Sequence, residues 1–569
     1  MQKIKKFLIP AIIKHLFLIL ALFVFLLLSY KAPFSERTLI PNFEPYPDTF
    51  HYITSARCLL IGSGRKLCRE GLSINPAVPP LYSYLMIPLF LLINDPRAVY
   101  YLNIALSLIS LISFYLILKK LFKNQLLIGF SLFLYVTNFY IYWMPSLAMA
   151  ENLLLPLTLL CLYLLLSPIS KKNSFIFGLT AISLYATKYI AAPLTLAFAI
   201  LFIIKLINSQ EKNLKGKKIS ISINFCSAFL LGLMFFGMGA ALRKVEEFSN
   251  GLIAVLKKNN LTVDSTREEN ENSFYSLSYL PKNLPLYIKT ILGYPIRFLW
   301  QNKAILSNYL AQLGLLGLIL KLRKAKTRFF AFSIIFLISI QILVVSLFYS
   351  FESRYIYYSI PFLILGFAFF LEETAQLLKK TKIMALKKHG IIFLIAITGI
   401  LYLKANLIPW KQQLSLNFKY AETPWYYLAI KEVDQLITEK NFVKKPYLIS
   451  AVNPYLFDFY SQDKFKLLPL SYEQDLFSDA KDVWGDHDYS DLIILYQSLL
   501  ENGDTVLLTN YGLGNEQGKH NDFQTIKDSF ELTELKSACY DLCNIYQLAL
   551  KSEKETSIEK NNLEQNLSK

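Results

Sequence analysis

The sequence predicts a polytopic α-helical membrane protein with about eleven transmembrane helices and a C-terminal external α/β domain. Hydrophobic residues make up 54% of the 569 positions, and apolar runs near the length needed to cross a bilayer recur over the first 410 residues. The formal net charge is +18, yet the Lys and Arg residues collect in short loops between these runs. This pattern is typical of membrane topology and argues against a nucleic-acid partner.

The apolar runs locate the predicted spans. The first, at about 7–30, has a basic start and no small-residue cleavage site after Tyr30, so we expect a retained helix. The run 174–207 is too long for one helix and is interrupted at Thr187, Lys188 and Tyr189, which predicts two short spans with an outer turn. The other spans located on the sequence lie at about 100–118, 150–167, 220–241, 304–320, 329–349, 355–371 and 390–407, which gives ten located spans of the about eleven expected.

Basic loops orient these spans. The positive-inside rule places in the cytoplasm the lysines near residues 3–14, 119–123, 171–172, 205–218, 321–328 and 379–388. This topology requires that the apolar stretch 79–93 does not cross. It is short and opens with two prolines, so we expect a re-entrant or interfacial helix. If it crosses instead, the downstream topology inverts.

Two loops and the C-terminal region then lie outside the cell. Loop 31–99 should contain an interfacial helix over 49–60, and loop 242–303 a second one over 284–300.

The C-terminal region, 411–550, alternates helical and strand-like segments. Its β-prone stretches, 447–452 and 505–509, and helical stretches such as 426–438 predict a small α/β domain. Residues 551–569 are charged and lack apolar periodicity, which predicts a disordered tail.

Cysteines fall in pairs in the predicted external regions. Cys58 and Cys68 share the first loop, and Cys539 and Cys543 share the C-terminal domain. Two external pairs fit disulfides in an oxidising compartment, but spacing leaves reduced thiols open as the alternative. We find no Cys and His set with zinc-ligand spacing.

A series of short motifs carries a family resemblance. In chain order these are Asp48, Tyr52 and Gly62, then residues 79–82 (Pro-Pro-Leu-Tyr), Glu151, residues 187–189 (Thr-Lys-Tyr), and Arg354-Tyr355 before Pro361. Over roughly residues 1–410 this order resembles the GT-C glycosyltransferases. It is most similar to bacterial relatives of protein O-mannosyltransferases and of the aminoarabinose transferase that modifies lipid A. The Trp-Trp-Asp-Tyr-Gly signature of oligosaccharyltransferases is absent, so transfer of whole glycans to asparagine is not expected.

The resemblance implies a catalytic GT-C domain over 1–410. Its expected activity is inverting transfer of a hexosyl or pentosyl group from a polyprenyl-phosphate donor to a hydroxyl acceptor at the outer face of the cytoplasmic membrane. The acceptor would be an envelope lipid, a polysaccharide or a protein. Such a reaction needs a base for the acceptor proton and cations for the departing phosphate. The sequence has no Gly-rich nucleotide loop between a strand and a helix, which also favours a lipid-linked donor.

Two carboxylates are the candidate catalytic residues. The resemblance implies that Asp48 is the base; the alternative is that it only caps the helix beginning near Thr49. Glu151 opens a span at the outer side, where an acid is costly unless it faces a cavity or a partner. It would orient or bind the acceptor, or it would simply be a solvated helix N-terminus favoured by the helix dipole.

Lys188 and Arg354 are the candidate phosphate-binding residues. Both lie where short spans end on the outer side, and Arg offers a forked donor set for phosphate oxygens. Either could instead extend to lipid headgroups.

Three residues near these are weaker candidates. Tyr52 and Tyr82 would contact the sugar or the acceptor, although most aromatic residues belong to the interfacial belt. Glu44 would bind the same substrates, or would join Asp48 in holding a divalent ion. The sequence therefore assigns no metal ligands and no definite cofactor, and it leaves a divalent metal open.

Two other classes of protein would also be polytopic. A transporter or flippase of lipid-linked glycans would favour internal repeats and charges near the middle of the membrane. A non-catalytic envelope assembly protein would leave Asp48 replaceable. Here the charges gather at the outer rim and no repeat is evident, so we favour the enzyme.

Overall fold

The structure is a computed structural model. It describes residues 2–30, 48–60, 79–93, 96–208, 218–235, 276–292, 305–348, 351–380, 384–417, 425–452, 457, 461, 464–468, 489–511 and 522–551. The chain divides into two compact units, each described by itself below. The first contains Met1–Pro33, Val78–Leu85 and Val99–Lys419, and the second contains Phe34–Ala77, Met86–Ala98 and Tyr420–Lys569. The predicted domain limits of 410 and 550 stay predictions.

Helices make up the described part of the first unit. They are α1 (Gln2–Ser29), α4 (Val99–Leu121), α5 (Gln125–Val136), α6 (Phe139–Trp143), α7 (Glu151–Leu165), α8 (Lys171–Thr187), α9 (Ala192–Asn208), α10 (Lys218–Phe235), α11 (Leu280–Leu292), α12 (Asn308–Leu322), α13 (Ala325–Val345), α14 (Ser359–Leu378) and α15 (Met384–Asn417). Two further helices, α2 (Asp48–Leu60) and α3 (Leu81–Leu92), lie between α1 and α4 in the sequence.

Local signals set several of these boundaries. The side chains of Asn124, Asn138 and Ser170 accept hydrogen bonds from backbone N–H groups at the starts of α5, α6 and α8, which is the usual N-cap arrangement. The predicted break in the run 174–207 is confirmed. Lys188 has an extended backbone, with φ −154° and ψ 127°, between α8 and a short 3₁₀ turn, Tyr189–Ala191, that leads into α9.

By length and composition, five helical segments among the described residues could cross a membrane. They are Val99–Leu121, Tyr189–Asn208, Thr327–Val345, Ser359–Leu378 and His389–Ser415. A sixth results if Gln125–Val136 and Phe139–Ser146, which bend by 60° at their junction, form one broken span. Shorter apolar helices make up the rest of the bundle, so this count is lower than the eleven spans predicted.

Several predicted elements are found with shifted limits. The expected interfacial helix at 49–60 is present as α2, which begins at Asp48. The stretch 79–93 forms α3, whose 12 residues extend only about 18 Å, less than the ~30 Å hydrocarbon core. The predicted helix 284–300 begins earlier, at Leu280, and is described to Leu292. The predicted span 355–371 begins later, at Ser359, because Ser353–Ile356 forms a separate 3₁₀ turn.

The two ends of the bundle carry different charged residues. At one end Lys205 donates to the carbonyl oxygens of Leu165 and Ser167 at 2.6 and 2.5 Å, and Lys120 donates to the Ser167 hydroxyl at 2.5 Å. These contacts bring together the C-terminal ends of α4, α7 and α9, where orphan helix carbonyls favour cations. Glu151 begins α7, so it lies about 20 Å away at the opposite end.

The second unit contains a five-stranded mixed sheet. Its strands are β1 (Tyr447–Ile449), β2 (Lys466–Leu468), β3 (Val506–Thr509), β4 (Phe530–Lys536) and β5 (Ile545–Leu550), in the order β2-β1-β3-β5-β4. β1 is parallel to β2 and β3, whereas β5 is antiparallel to β3 and β4. Helices α16 (Trp425–Lys440), α17 (Tyr489–Glu501) and α18 (Asp522–Ser529) accompany it. The predicted α/β content of the C-terminal region is confirmed.

A disulfide closes the turn between β4 and β5. Cys539 and Cys543 are bonded, with their Cα atoms 5.2 Å apart. Cys539, Tyr540 and Asp541 have positive φ angles of 54°, 54° and 67°, a conformation that costs energy for residues other than glycine. The bond holds this turn closed. The other predicted pair cannot be compared, because Cys68 lies outside the described residues.

Candidate active site

A buried ion pair occupies the start of α7. The Glu151 carboxylate accepts a hydrogen bond from Lys188 Nζ at 2.5 Å through Oε1, and the two side chains are only 1% and 9% exposed. Lys188 reaches this position because α8 ends at Thr187. The predicted break after α8 therefore places the Lys188 ammonium beside Glu151, the first residue of the neighbouring helix α7.

Arg354 approaches the same carboxylate from a third segment. It belongs to the 3₁₀ turn Ser353–Ile356 that precedes α14. Its Nε lies 3.9 Å from Glu151 Oε1 and 3.8 Å from Glu352 Oε2, and its Nη1 lies 3.7 Å from the Met149 sulfur. The Arg354 side chain is 11% exposed and that of Glu352 is 38% exposed, so Glu352 lies at the margin of the site.

The ring of Tyr355 packs beneath both cations. Lys188 Nζ lies 5.1 Å from its centroid and the Arg354 guanidinium carbon 5.3 Å, within the range of cation–π attraction. We refer to Glu151, Lys188, Arg354 and Tyr355 as the Glu151 cluster. One buried carboxylate faces two cations in this cluster, and Glu352, at the exposed margin, is a second carboxylate beside Arg354.

Backbone contacts fix the segments that carry the cluster. The Tyr357 hydroxyl donates to the backbone carbonyl of Glu151. Gln341, buried within α13, directs its amide at the carbonyl oxygens of Ile190 and Tyr355 at 3.3 and 3.5 Å. The Gln341 side chain therefore links the segment after Lys188 to the segment after Arg354. Neither Gln341 nor Tyr357 was selected from the sequence, although a Gln in a membrane span is a recognised signal of function.

A second hydrogen-bonded group supports the loop before Glu151. Asn103, fully buried in α4, accepts from the Tyr82 hydroxyl at 2.5 Å and donates to the carbonyl oxygens of Pro145 and Leu147 at 3.1 and 2.8 Å. Asn152 also donates to Leu147 at 2.8 Å. These bonds set the path of the chain that leads into α7. Asn103 was likewise not selected from the sequence.

Replacing Asn103 by Leu should lower stability. The change leaves the Pro145 carbonyl and the Tyr82 hydroxyl buried without this partner, at about 1–3 kcal/mol each, and frees the loop before Glu151. We expect a lower melting temperature in detergent.

Asn224→Leu is the matched control. Within the described residues, the amide of Asn224 donates only to the Ser220 carbonyl in its own helix, at 2.7 Å. Equal losses in the two variants would show that Asn103 has no special connection with the site.

The structure thus brings together three of the residues predicted from the sequence: Glu151, Lys188 and Arg354. Tyr82 is fully buried, and its hydroxyl donates to Asn103. It therefore belongs to the hydrogen-bonded group that supports the loop before Glu151, and its side chain is not exposed at the surface. In the second unit, Asp48 is the first residue of α2, and Tyr52 is buried in that helix.

The two possible metal ligands, Glu44 and Asp48, cannot be located relative to each other. Glu44 lies outside the described residues, and the side chain of Asp48 is not described. Among the described residues, no group of three His, Cys, Asp or Glu side chains could hold a metal ion.

Comparisons with known proteins address the fold. No protein-family model matches the sequence, and a comparison with curated proteins found no match. Among solved structures, the chain is similar to ArnT from Cupriavidus metallidurans bound to undecaprenyl phosphate, with a TM-score of 0.56, 11% identity, and coverage of 94% of this chain and 97% of that chain. The apo state of the same protein gives a TM-score of 0.53, 12% identity and the same coverage.

An oligosaccharyltransferase from Archaeoglobus fulgidus, tethered with an acceptor peptide, gives a TM-score of 0.49 at 11% identity, covering 95% of this chain and 74% of that chain. The fold assignment rests on the two ArnT structures. They confirm the GT-C fold implied by the sequence motifs.

Proposed function

We propose that this chain, which has the GT-C fold, is a membrane glycosyltransferase that moves a sugar from a polyprenyl-phosphate donor to a hydroxyl acceptor. The observation that carries the proposal is the Glu151 cluster, in which two buried cations face one carboxylate at one end of the helical bundle. A protein with the same fold, ArnT, has been crystallised with undecaprenyl phosphate, which supports a lipid phosphate as the ligand class.

Lys188 and Arg354 are proposed to bind the donor phosphate. A guanidinium presents two parallel N–H groups to phosphate oxygens, whereas an ammonium acts as a compact point charge. Both side chains are about nine-tenths buried, so water screens them little and their attraction for an anion is strong. Gln341 and Tyr357 act as positioning residues, because they bond to the backbone beside these groups.

In the proposed reaction the acceptor oxygen attacks the anomeric carbon. A new carbon–oxygen bond forms there as the bond from that carbon to the phosphate oxygen breaks, with inversion. Asp48 takes the proton of the acceptor hydroxyl, and the polyprenyl phosphate departs as an anion stabilised by Lys188 and Arg354. The role of Asp48 rests on its place in the order of family motifs.

The proposed topology follows from the charges. The lysines that cap α4, α7 and α9 would face the cytoplasm, and the Glu151 cluster would face the outside. The shorter apolar helices would complete about eleven spans, and the C-terminal domain would be external. The donor is then reached from the outer leaflet, and the acceptor is an envelope lipid, a polysaccharide or a protein.

Asp48→Asn should abolish transfer. We expect cells carrying this variant to match a deletion strain: one envelope glycan disappears and its polyprenyl-linked donor accumulates, because the neutral amide cannot accept the proton. Mass spectrometry of envelope glycans and polyprenyl-phosphate sugars, at matched expression, measures both. The missing product identifies the sugar and the acceptor.

Asp522→Asn is the matched control, because Asp522 is likewise the first residue of a helix, α18. It should leave the glycan profile unchanged. If Asp48→Asn also matches wild type, Asp48 is a helix-capping residue, and a transporter or an assembly protein becomes the better interpretation.

A further inference from the structure

Glu151 sits in the position that a bound anion would take. Its Oε1 contacts Lys188 Nζ at 2.5 Å and lies 3.9 Å from Arg354 Nε. These are the two side chains assigned to the donor phosphate above. A phosphate and this carboxylate therefore require the same cations.

The carboxylate is only half satisfied in this position. Glu151 is 1% exposed, yet its second oxygen, Oε2, has no hydrogen-bond partner within the described part of the chain. A buried acceptor left without a partner costs about 1–3 kcal/mol, and more when it is charged. Removing two charges from water also offsets much of the attraction within a buried pair. We therefore expect that an anion with more favourable contacts can replace Glu151 as the partner of Lys188.

The backbone contact at the start of α7 does not depend on the carboxylate. The Tyr357 hydroxyl bonds to the backbone carbonyl of Glu151 and not to its carboxylate, so this contact is kept when Lys188 exchanges the carboxylate for another anion. Arg354 Nε, at 3.9 Å, is beyond hydrogen-bond distance from the carboxylate. A polyprenyl-phosphate sugar is a phosphodiester with one charge, like the carboxylate, and the phosphate monoester left after transfer offers more acceptor oxygens and up to twice that charge.

We propose that Glu151 is a resident anion that the donor phosphate displaces from Lys188. This inference rests on the proposed function. When the phosphate binds, Lys188 exchanges the carboxylate for a phosphate oxygen, and the released Glu151 carboxylate becomes an acceptor for the hydroxyl of the second substrate. Donor binding thereby precedes and prepares acceptor binding, and Glu151 neutralises Lys188 between turnovers.

The test measures binding of undecaprenyl phosphate to the full-length protein in lipid nanodiscs. Glu151→Gln keeps the shape and removes the competing charge, so it should bind undecaprenyl phosphate about tenfold more tightly than wild type while losing transfer in cells. Glu151→Asp keeps the charge and should not gain affinity. Lys188→Gln should bind at least tenfold more weakly.

Glu373→Gln is the control for removing an ion-paired acid, and its side chain is 15% exposed. Glu373 pairs with Lys321 at 2.6 Å and Lys324 at 2.6 Å near the C-terminal end of α14, whereas Arg354 precedes that helix. Its loss should leave the affinity for undecaprenyl phosphate unchanged.

The outcomes separate the two proposals. If wild type binds undecaprenyl phosphate no better than uncharged undecaprenol, the proposed donor class is wrong. If wild type binds the phosphate selectively but Glu151→Gln binds it equally or more weakly, the displacement model alone is overturned. Glu151 would then be a fixed positioning residue for Lys188. A gain in affinity shared by Glu151→Gln and Glu151→Asp would also overturn it, because charge would not be the cause.

Discussion

Lys188→Met is expected to abolish transfer and to destabilise the helical unit by about 3–5 kcal/mol, the usual cost of removing one partner of a buried ion pair. Glu151 is 1% exposed, so its charge would remain buried with Arg354 Nε 3.9 Å from Oε1. The melting temperature in detergent and the envelope glycan profile measure the two effects.

A double variant distinguishes charge from catalysis. Lys188→Met combined with Glu151→Gln removes both charges, so most of the stability should return. Transfer should stay absent, because the phosphate still lacks Lys188. Recovery of transfer in the double variant would show that Lys188 only balances Glu151. A Lys188→Met protein as stable as wild type would contradict the buried pair itself.

Gly317→Ala should disrupt the packing of α12 against α14. A Cβ at Gly317 would lie 2.0 Å from the carbonyl oxygen of Gly366, and one at Gly366 would lie 2.2 Å from the carbonyl oxygen of Gly314. Both obstacles are backbone atoms, which cannot rotate away as a side chain can. We expect a loss of about 3 kcal/mol, at the upper end of the usual cost of overpacking.

The change should also reduce transfer, because the turn bearing Arg354 leads directly into α14. Gly399→Ala in α15 is the matched control. Of the residues that the structure describes, a Cβ there would meet only the Phe130 ring, at 3.7 Å, an ordinary contact. Ala also favours a helix over Gly by about 1 kcal/mol. It should be neutral or slightly stabilising. Equal melting temperatures for the two variants would show that α12 and α14 do not approach so closely.

Local patterns in the sequence predicted many of the elements. The interruption at Lys188 was visible because an apolar run too long for one helix contained a charged residue. The strands at β1 and β3, and the helix beginning at Asp48, followed from residue preferences over a few positions. The helices α5 and α6 were not among the spans located from the sequence, and the bend between them was missed because its signals are two Asn caps within an otherwise apolar segment.

The functional site also has some features that the sequence shows and others that only the tertiary structure shows. The sequence by itself determined the membrane class, the break at Lys188, and the three charged candidates Glu151, Lys188 and Arg354, because each stands out against the apolar residues around it. Only the tertiary structure decided that these three meet, that Gln341 and Asn103 support them, and that Gly317 packs on Gly366. Such contacts join residues far apart in the chain, and they depend on how helices pack, which no short sequence pattern encodes.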